Sequence, residues 1–354
     1  MKKLENKNIF QKYDSGKVLS SLEQLPKQCR QAQKETKNLK FPAEYRRVRN
    51  ILVCGMGGSG LGSDLIRNVF ASRLRVPLNI NADYDLPDYV DKDSLVVASS
   101  YSGNTEETLV ACRAALKRGS KLLVISAGGK LAGFARHRRL PAYIFTPNFN
   151  PSGQPRLGLG YSVISQTEIF RKLNILRISE KEIESAIGFL ESSINDFSIA
   201  ARNNPAKQIA YRFFRKVPVI FSGNSLLGSA HVLANQINEN AKNYVSFYAL
   251  PELNHHLLEG LTHPTVLRQF TFLLLESNLD SPAVKKRFSV TRKILAKKKL
   301  EATTLVAKGR DRFSQALWLM LFGGFASFYL AMLNQENPSL IPWVDFLKRE
   351  LAKK

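Results

Sequence analysis

The fold of this chain can be predicted outward from one stretch, Ser94-Leu-Val-Val-Ala-Ser-Ser-Tyr-Ser-Gly-Asn-Thr105. Its first half is a short apolar run, as expected of a strand that is buried on both faces. Its second half carries hydroxyl side chains at Ser100, Ser102 and Thr105, and Gly103 permits a left-handed turn. Because a helix is predicted to begin at Thr105, these hydroxyls would lie beside free backbone N–H groups. The combination predicts a binding loop for a phosphate monoester.

Helix capping is the alternative interpretation of this loop. Thr105 would then be the N-cap of the helix, with Glu106 and Glu107 in its first turn. Capping accounts for Thr105 but leaves the hydroxyls of Ser100 and Ser102 without a role. We therefore favour phosphate binding.

Short apolar strands alternate with helical segments along most of the chain, which predicts an α/β fold with parallel sheets and helices on both faces. With 354 residues the chain is longer than a single hydrophobic core usually supports, so two doubly wound domains are expected. We predict a helical lead-in over 1–48, a first domain over 49–150, a crossover and helical linker over 151–215, and a second domain over 216–354. One strand of the second domain is predicted at 265–274, and His231 is predicted to lie in the core.

A second glycine-rich loop follows the strand predicted at 51–54. Gly55, Gly57 and Gly60 fit the pattern G-x-G-x-x-G, and Asp83 stands about 20 residues further on. This is the pattern of a dinucleotide-binding loop, so a nicotinamide-dependent dehydrogenase is an alternative. The neighbouring hydroxyl-rich loop favours a phosphate monoester over a pyrophosphate, which makes the dehydrogenase the less favoured interpretation.

Composition narrows the class of protein further. Lys and Arg (52) exceed Asp and Glu (29) by 23, and such a surplus attracts anions. No helix-turn-helix or RNA-binding signature accompanies the basic residues, so a phosphorylated small molecule is expected rather than nucleic acid. The three cysteines and five histidines show no metal-ligand spacing, and no cofactor or metal is expected. The chain has no apolar leader and no unbroken membrane-length run, so a cytoplasmic protein is expected.

Several motifs resemble those of one known family. The two loops and Tyr84-Asp-Leu-Pro87 resemble the sugar isomerase (SIS) fold. Three later segments resemble the bifunctional phosphoglucose/phosphomannose isomerase family of bacteria and archaea: Gln154-Pro-Arg156, Asn238-Glu-Asn-Ala-Lys242 and Pro251-Glu-Leu-Asn-His255. The similarity runs from about residue 45 to the end of the chain, and the motifs are in the family's order.

The resemblance implies a role for each matching residue. The substrate phosphate would be held by Gly58, Ser59, Ser100, Ser102 and Thr105. Glu239 would be the base that moves a proton between C1 and C2, and Arg156 would stabilise the enediolate. His255 would open the sugar ring from the other subunit of a homodimer with shared active sites, and Lys348 would assist. The substrates implied are glucose 6-phosphate and mannose 6-phosphate, interconverted with fructose 6-phosphate.

Three points remain open at the level of sequence. Glu239 could instead be a solvated carboxylate that pairs with Lys242. His255 and His256 are adjacent, and which of them faces the site is not fixed. Ser339 stands where the family often has a threonine associated with mannose 6-phosphate. A non-catalytic module that only binds a sugar phosphate is a further alternative to the enzyme.

Overall fold

Two parallel β-sheets organise the chain in the computed structural model, which describes residues 2–351 and 353. The first sheet has the order β2-β1-β3-β4-β5, and every neighbouring pair is parallel. Its strands are β1 (Asn50–Cys54), β2 (Leu78–Asn81), β3 (Ser94–Ser100), β4 (Lys121–Ser126) and β5 (Ala142–Ile144). The strands' carboxyl ends therefore meet at one edge, where both glycine-containing loops begin.

The second sheet has the order β7-β6-β8-β9, again with parallel neighbours. Its strands are β6 (Val217–Gly223), β7 (Ser246–Leu250), β8 (Phe270–Glu276) and β9 (Glu301–Val306). The strand predicted from residue 265 was wrong in its first five residues, because Thr265–Gln269 form a 3-10 helix. The partner strand β6 begins at Val217, opposite Phe270, so the ladder between the two strands does not extend to the earlier residues. The α/β class with parallel sheets is confirmed.

Helices cover the faces of both sheets. The α-helices of the described residues are α1 (Lys7–Tyr13), α2 (Val18–Glu23), α3 (Leu25–Thr36), α4 (Gly58–Val69), α5 (Glu106–Lys117), α6 (Gly129–His137), α7 (Leu159–Lys172), α8 (Glu180–Ser193), α9 (Pro205–Phe213), α10 (Leu227–Ala241), α11 (Leu257–Gly260), α12 (Pro282–Lys297), α13 (Arg312–Asn334) and α14 (Pro342–Leu351).

Helix α13 lies at the centre of the helical layer. It is long and apolar enough to cross a membrane by length and composition, with a mean hydropathy of 1.8, but that window is completely buried inside the molecule. It packs against α8, α9 and α10. A side chain at Gly323 would come within 2.4 Å of Gln236 Oε1, so glycine permits the close approach of α10. These contacts assign α13 to the protein core.

The two sheets are joined through α4 and α10. At Gly228 a Cβ would come within 2.6 Å of the Leu65 Cα, so the two helices cross at backbone distance. Beside this crossing, His231 Nδ1 lies 2.8 Å from Asp64 Oδ2, and the ring stacks on Phe247. The prediction that His231 lies in the core was wrong, since its side chain is 41% exposed. Asp64 supplies a polar partner from the first sheet's helix layer, which the periodicity of α10 alone does not show.

Candidate active site

The two loops at the carboxyl edge of the first sheet are hydrogen-bonded to each other through Ser59. The Tyr101 N–H donates to Ser59 Oγ (3.0 Å), and Ser99 Oγ donates to the Ser59 carbonyl (3.1 Å). Gly57, with φ +50°, makes the turn that precedes α4. Both loops therefore face the same space, with the first turns of α4 and α5 beside them. This arrangement supplies hydroxyl and backbone N–H donors of the kind that bind a phosphate group.

Within the second loop, the three hydroxyls that the sequence singled out occupy different environments. Ser100 is buried, and its hydroxyl lies 2.9 Å from Thr105 Oγ1 and accepts from the Gly103 N–H. Ser102 is exposed, and its Oγ accepts from the Asn104 N–H. Thr105 is the N-cap residue of α5 but makes no side-chain capping bond. Its hydroxyl bonds to Ser100 instead, so capping does not account for this side chain.

Loop 127–130, which leads from the end of β4 into the first turn of α6, supports the second loop. Ala127 N–H donates to the Tyr101 carbonyl (3.1 Å), and Leu131 N–H donates to the Gly103 carbonyl (2.9 Å). Gly103 has φ +69°, and a Cβ there would lie 1.9 Å from the Gly128 carbonyl oxygen. Only glycine therefore fits at this contact.

Arg156 is brought next to this pair of loops by the turn Pro155–Leu157. A Cβ at Gly58 would come within 3.0 Å of the Arg156 backbone nitrogen, so the start of α4 touches this turn directly. The Arg156 side chain is 1% exposed and extends toward the end of α10. There Nη1 lies 3.2 Å from Glu239 Oε2, and Nε donates to Asn240 Oδ1 (2.6 Å).

The remaining donors of Arg156 are also occupied. Nη1 donates to Gln154 Oε1 (2.9 Å), and Nη2 donates to the carbonyls of Pro338 (2.7 Å) and Ser339 (3.1 Å). All five N–H groups of the guanidinium therefore have acceptors. Burial lowers the pKa of Arg156, and the charge and hydrogen bond of Glu239 oppose this. Glu239, 27% exposed, thus presents its carboxylate at the junction of Arg156 and solvent.

The sequence left open whether Glu239 pairs with Lys242, and in the structure the two side chains do not pair. The Lys242 ammonium donates instead to the carbonyls of Asn240 (3.2 Å) and Asn337. Burial and the nearby Arg156 lower the pKa of Lys242 to about 8, while Glu336 and Glu239 oppose the shift. Gln154, Asn240 and the carbonyls of 338 and 339 were not predicted as part of the site. The first two belong to motifs that the sequence showed, but nothing local indicates the carbonyls.

The structure places Glu239 before the amino end of β7 and His255 after its carboxyl end. Glu239 is in the last turn of α10, which leads back to the amino end of β7, whereas His255 follows the carboxyl end of β7. With five residues, β7 alone spans about 16 Å. The His255 side chain is exposed and has no hydrogen-bonding or ionic partner within 2–351 and 353, whereas His256 Nε2 lies 2.9 Å from Glu252 Oε2.

Lys348 is an exposed residue of helix α14. No polar partner of its side chain occurs in the described part of the chain. One face of α14, and a residue two positions before the helix, expose large apolar side chains: Leu340, Trp343, Phe346, Leu347 and Leu351. The structure therefore brings the two loops, Arg156 and Glu239 together, whereas the side chains of His255 and Lys348 make no polar contact with them.

Asp83 and the first glycine-rich loop, which fit the dinucleotide-binding pattern, make local contacts in the structure. Asp83 is exposed, and its carboxylate accepts from the Tyr84 N–H (2.7 Å). A Cβ at Gly60 would lie 2.6 Å from the Gly55 carbonyl, so these glycines allow the loop to pack on itself. Among the described residues no group of three or more His, Cys, Asp and Glu side chains is arranged to hold a metal ion.

Comparison with known proteins first defines the class. Residues 44–140 match the model of the SIS domain, and residues 202–351 match that of the bacterial phospho-glucose isomerase C-terminal SIS domain. The structure is similar to that of a tagatose-6-phosphate ketose/aldose isomerase from Escherichia coli, with a TM-score of 0.70 and 15% identity over 92% of this chain and 97% of that chain. The chain is thus a protein with two SIS domains.

Two relatives identify the family within this class. The bifunctional phosphoglucose/phosphomannose isomerase of Caldicellulosiruptor bescii is 31% identical over 95% of this chain and 99% of its own length. The protein of the same name from Aquifex aeolicus is 32% identical over 86% of this chain and 91% of its own length. The chain belongs to the bifunctional phosphoglucose/phosphomannose isomerase family, as its motifs predicted.

Proposed function

We propose that this protein interconverts glucose 6-phosphate and mannose 6-phosphate with fructose 6-phosphate through an enediolate. The observation that carries the proposal is the contact between the buried Arg156 and Glu239 beside the phosphate loops. An aldose–ketose interconversion needs one carboxylate that takes a proton from one carbon and returns it to the next. It also needs a fixed cation where the enediolate oxygens become negative. A site that only binds a sugar phosphate has no need of the carboxylate.

The proposed mechanism assigns each group a position. Gly58, Ser59, Ser100, Ser102 and Thr105 hold the phosphate. Glu239 then transfers the proton between C1 and C2. Because all five N–H groups of Arg156 already have acceptors, Arg156 exchanges at least one of them for an enediolate oxygen. The two Nη1 bonds, to Gln154 and Glu239, are at the edge of the cluster, since both of these side chains are partly exposed.

We infer that the working enzyme is a homodimer with shared active sites. His255 would open the sugar ring in the partner's site, which is supported by its position at the opposite end of β7 from Glu239. Lys348 would assist once the partner subunit covers α14, because the apolar face of α14 is exposed to solvent in a single subunit. We further propose a cytoplasmic enzyme that needs neither a cofactor nor a metal and that binds no nucleic acid or membrane.

The substitution Glu239→Gln tests the proposed chemistry. It keeps the hydrogen-bonding shape but removes the base, so turnover of both hexose 6-phosphates should fall by a factor of about 10³ or more. Formation of fructose 6-phosphate is followed in a coupled assay, and binding of the sugar phosphate by calorimetry. Unchanged binding with lost turnover is expected.

Three other results would contradict the proposal. Full turnover by Glu239→Gln would remove Glu239 as the base. Binding without any turnover in the wild-type protein would favour the non-catalytic sugar-phosphate module. Stabilisation against heat by NAD, without stabilisation by sugar phosphates, would favour the dehydrogenase.

A further inference from the structure

The last residue of α13 and the five residues that follow it pass across the end of α10. Lys242 and Arg156 bind this segment there. We call residues 334–339 the strap. Asn334 Nδ2 donates to the Ala241 carbonyl (2.9 Å) where α10 ends. The next contacts are to three consecutive strap carbonyls: Lys242 binds that of Asn337, and Arg156 Nη2 binds those of Pro338 and Ser339.

The backbone of Lys242 is in a conformation that other residues adopt more easily. Lys242 is the C-cap of α10 and has φ +52°, in the left-handed region where glycine or asparagine is preferred. Its ammonium is half-buried and lies close enough to Arg156 for the two like charges to oppose each other. Neither feature stabilises α10. What the long side chain provides at this position is the bond to the strap.

The strap has further anchors that do not depend on Lys242. Asn337 Nδ2 donates to Ser15 Oγ (2.9 Å), and both N–H and Oγ of Ser339 donate to Asn337 Oδ1 (2.9 and 2.8 Å). At Gly16 a Cβ would lie 2.2 Å from the Ser339 side chain, so this segment also packs tightly on the N-terminal region. Loss of Lys242 should therefore loosen the strap without unfolding the protein.

We propose that Lys242 is a positioning residue for the isomerase reaction, because it holds the strap carbonyls that set the orientation of the Arg156 guanidinium. Nε is fixed by Asn240 and Nη2 by the strap, so Nη1 is the edge turned toward Glu239. If the strap carbonyls shift, Nη2 loses both acceptors and the guanidinium plane can turn. The inference rests on the proposed function, since it concerns the same site.

The substitution Lys242→Gly removes the ammonium and leaves a residue that favours the left-handed backbone. Lys299→Gly is the matched control, since Lys299 is exposed, has φ +58°, and its side chain has no polar partner within 2–351 and 353. For Lys242→Gly we expect kcat with glucose 6-phosphate to fall about tenfold or more with KM within about threefold, because the phosphate loops are untouched. Lys242→Arg should recover at least about a third of kcat, since it restores a cationic donor. Lys299→Gly should match the wild-type enzyme.

Amide hydrogen exchange provides a readout that does not require activity. Peptides covering 335–341 should exchange faster in Lys242→Gly than in Lys299→Gly, while peptides within 312–333 of α13 should not change. Equal exchange in the two variants, or a kcat for Lys242→Gly within twofold of the control, would overturn the inference. If the wild-type protein turned over neither hexose 6-phosphate, the proposed function would fail, whereas the exchange data would still decide whether Lys242 holds the strap.

Discussion

At the level of single residues, Arg156 connects the start of α4 with the end of α10 and the strap. Its backbone touches the start of α4, and its side chain reaches Glu239, Asn240 and the strap. A buried guanidinium is costly unless each donor is satisfied, and here each is. The planar fork can serve five acceptors in fixed directions, which the single nitrogen of a lysine cannot. The arrangement therefore depends on arginine and not on positive charge alone.

The substitution Arg156→Lys should lower both stability and activity. Lysine has three donors for the acceptors that now receive five bonds, so buried acceptors remain unpaired, at a cost of about 2–4 kcal/mol in the free energy of unfolding. Loss of the cation's orientation should lower kcat by a factor of about 10²–10³. Urea unfolding and the coupled assay measure the two effects.

A suitable control for this change is Arg49→Lys, since the Arg49 side chain is 81% exposed and lies 3.7 Å from its ionic partner Asp93. That variant should remain within about 0.5 kcal/mol of the wild-type protein. An Arg156→Lys enzyme that behaved like the control in both measurements would show that the buried fork is dispensable.

At the scale of elements, the site depends on the close packing of the loop that follows β3 against the loop that follows β4. The loop from Ser100 to Thr105 rests on loop 127–130 through the close approach of Gly103 and Gly128. The hydroxyl bond between Ser100 and Thr105 then closes the loop over the start of α5. A small displacement of this layer would move several of the donors that we propose to bind the substrate phosphate.

The substitution Gly103→Ala should disrupt this layer. The left-handed backbone alone costs about 1–2 kcal/mol for alanine, and the new Cβ would lie 1.9 Å from the Gly128 oxygen, so the loop must move. We expect KM for both sugar phosphates to rise about tenfold or more, with a lower free energy of unfolding. In contrast, Gly133→Ala in α6, where a Cβ would meet nothing within 4 Å, should be neutral or stabilising by up to about 1 kcal/mol. Equal KM values in the two variants would contradict a tightly fitted loop.

The sequence predicted those parts of the site that depend on local pattern. The central strands β1, β3 and β6 are continuous apolar runs, and the loops that follow them contain the expected Gly, Ser and Thr residues. Arg156 and Glu239 were found because each lies in a short motif. The strap carbonyls could not be predicted, because every residue offers the same carbonyl and these lie about 180 residues from Arg156 in the chain. The partner of His231 was missed for the same reason, since Asp64 is 167 residues away.

At the scale of the whole molecule, one protomer leaves two features unexplained. The apolar side chains of α14 are exposed, with Trp343 at 81% and Leu351 at 72%. His255 is exposed at the far end of β7 from the Glu239 of its own chain. A second copy related by a two-fold axis would cover the first and bring the second to the opposite site, since each contact in such an interface occurs twice. Both features therefore favour the proposed homodimer.

Mixing two inactive variants provides a direct test of shared sites. His255→Ala and Glu239→Gln should each be nearly inactive alone. If the subunits exchange at random, half of the dimers combine the two variants, and each mixed dimer has one site with both native residues. The mixture should then recover about a quarter of wild-type activity. If both residues acted within one protomer, no mixed dimer would contain a complete site and mixing would restore nothing.

The same experiment distinguishes the two adjacent histidines. His256 is already paired with Glu252, so His256→Ala alone should keep most of its activity, and it serves as the control for a substitution in this loop. Subunit exchange is checked by labelling the two variants differently and measuring mixed dimers by native mass spectrometry. Mixed dimers without activity would argue against a shared site, because both native residues would be present yet unable to act together.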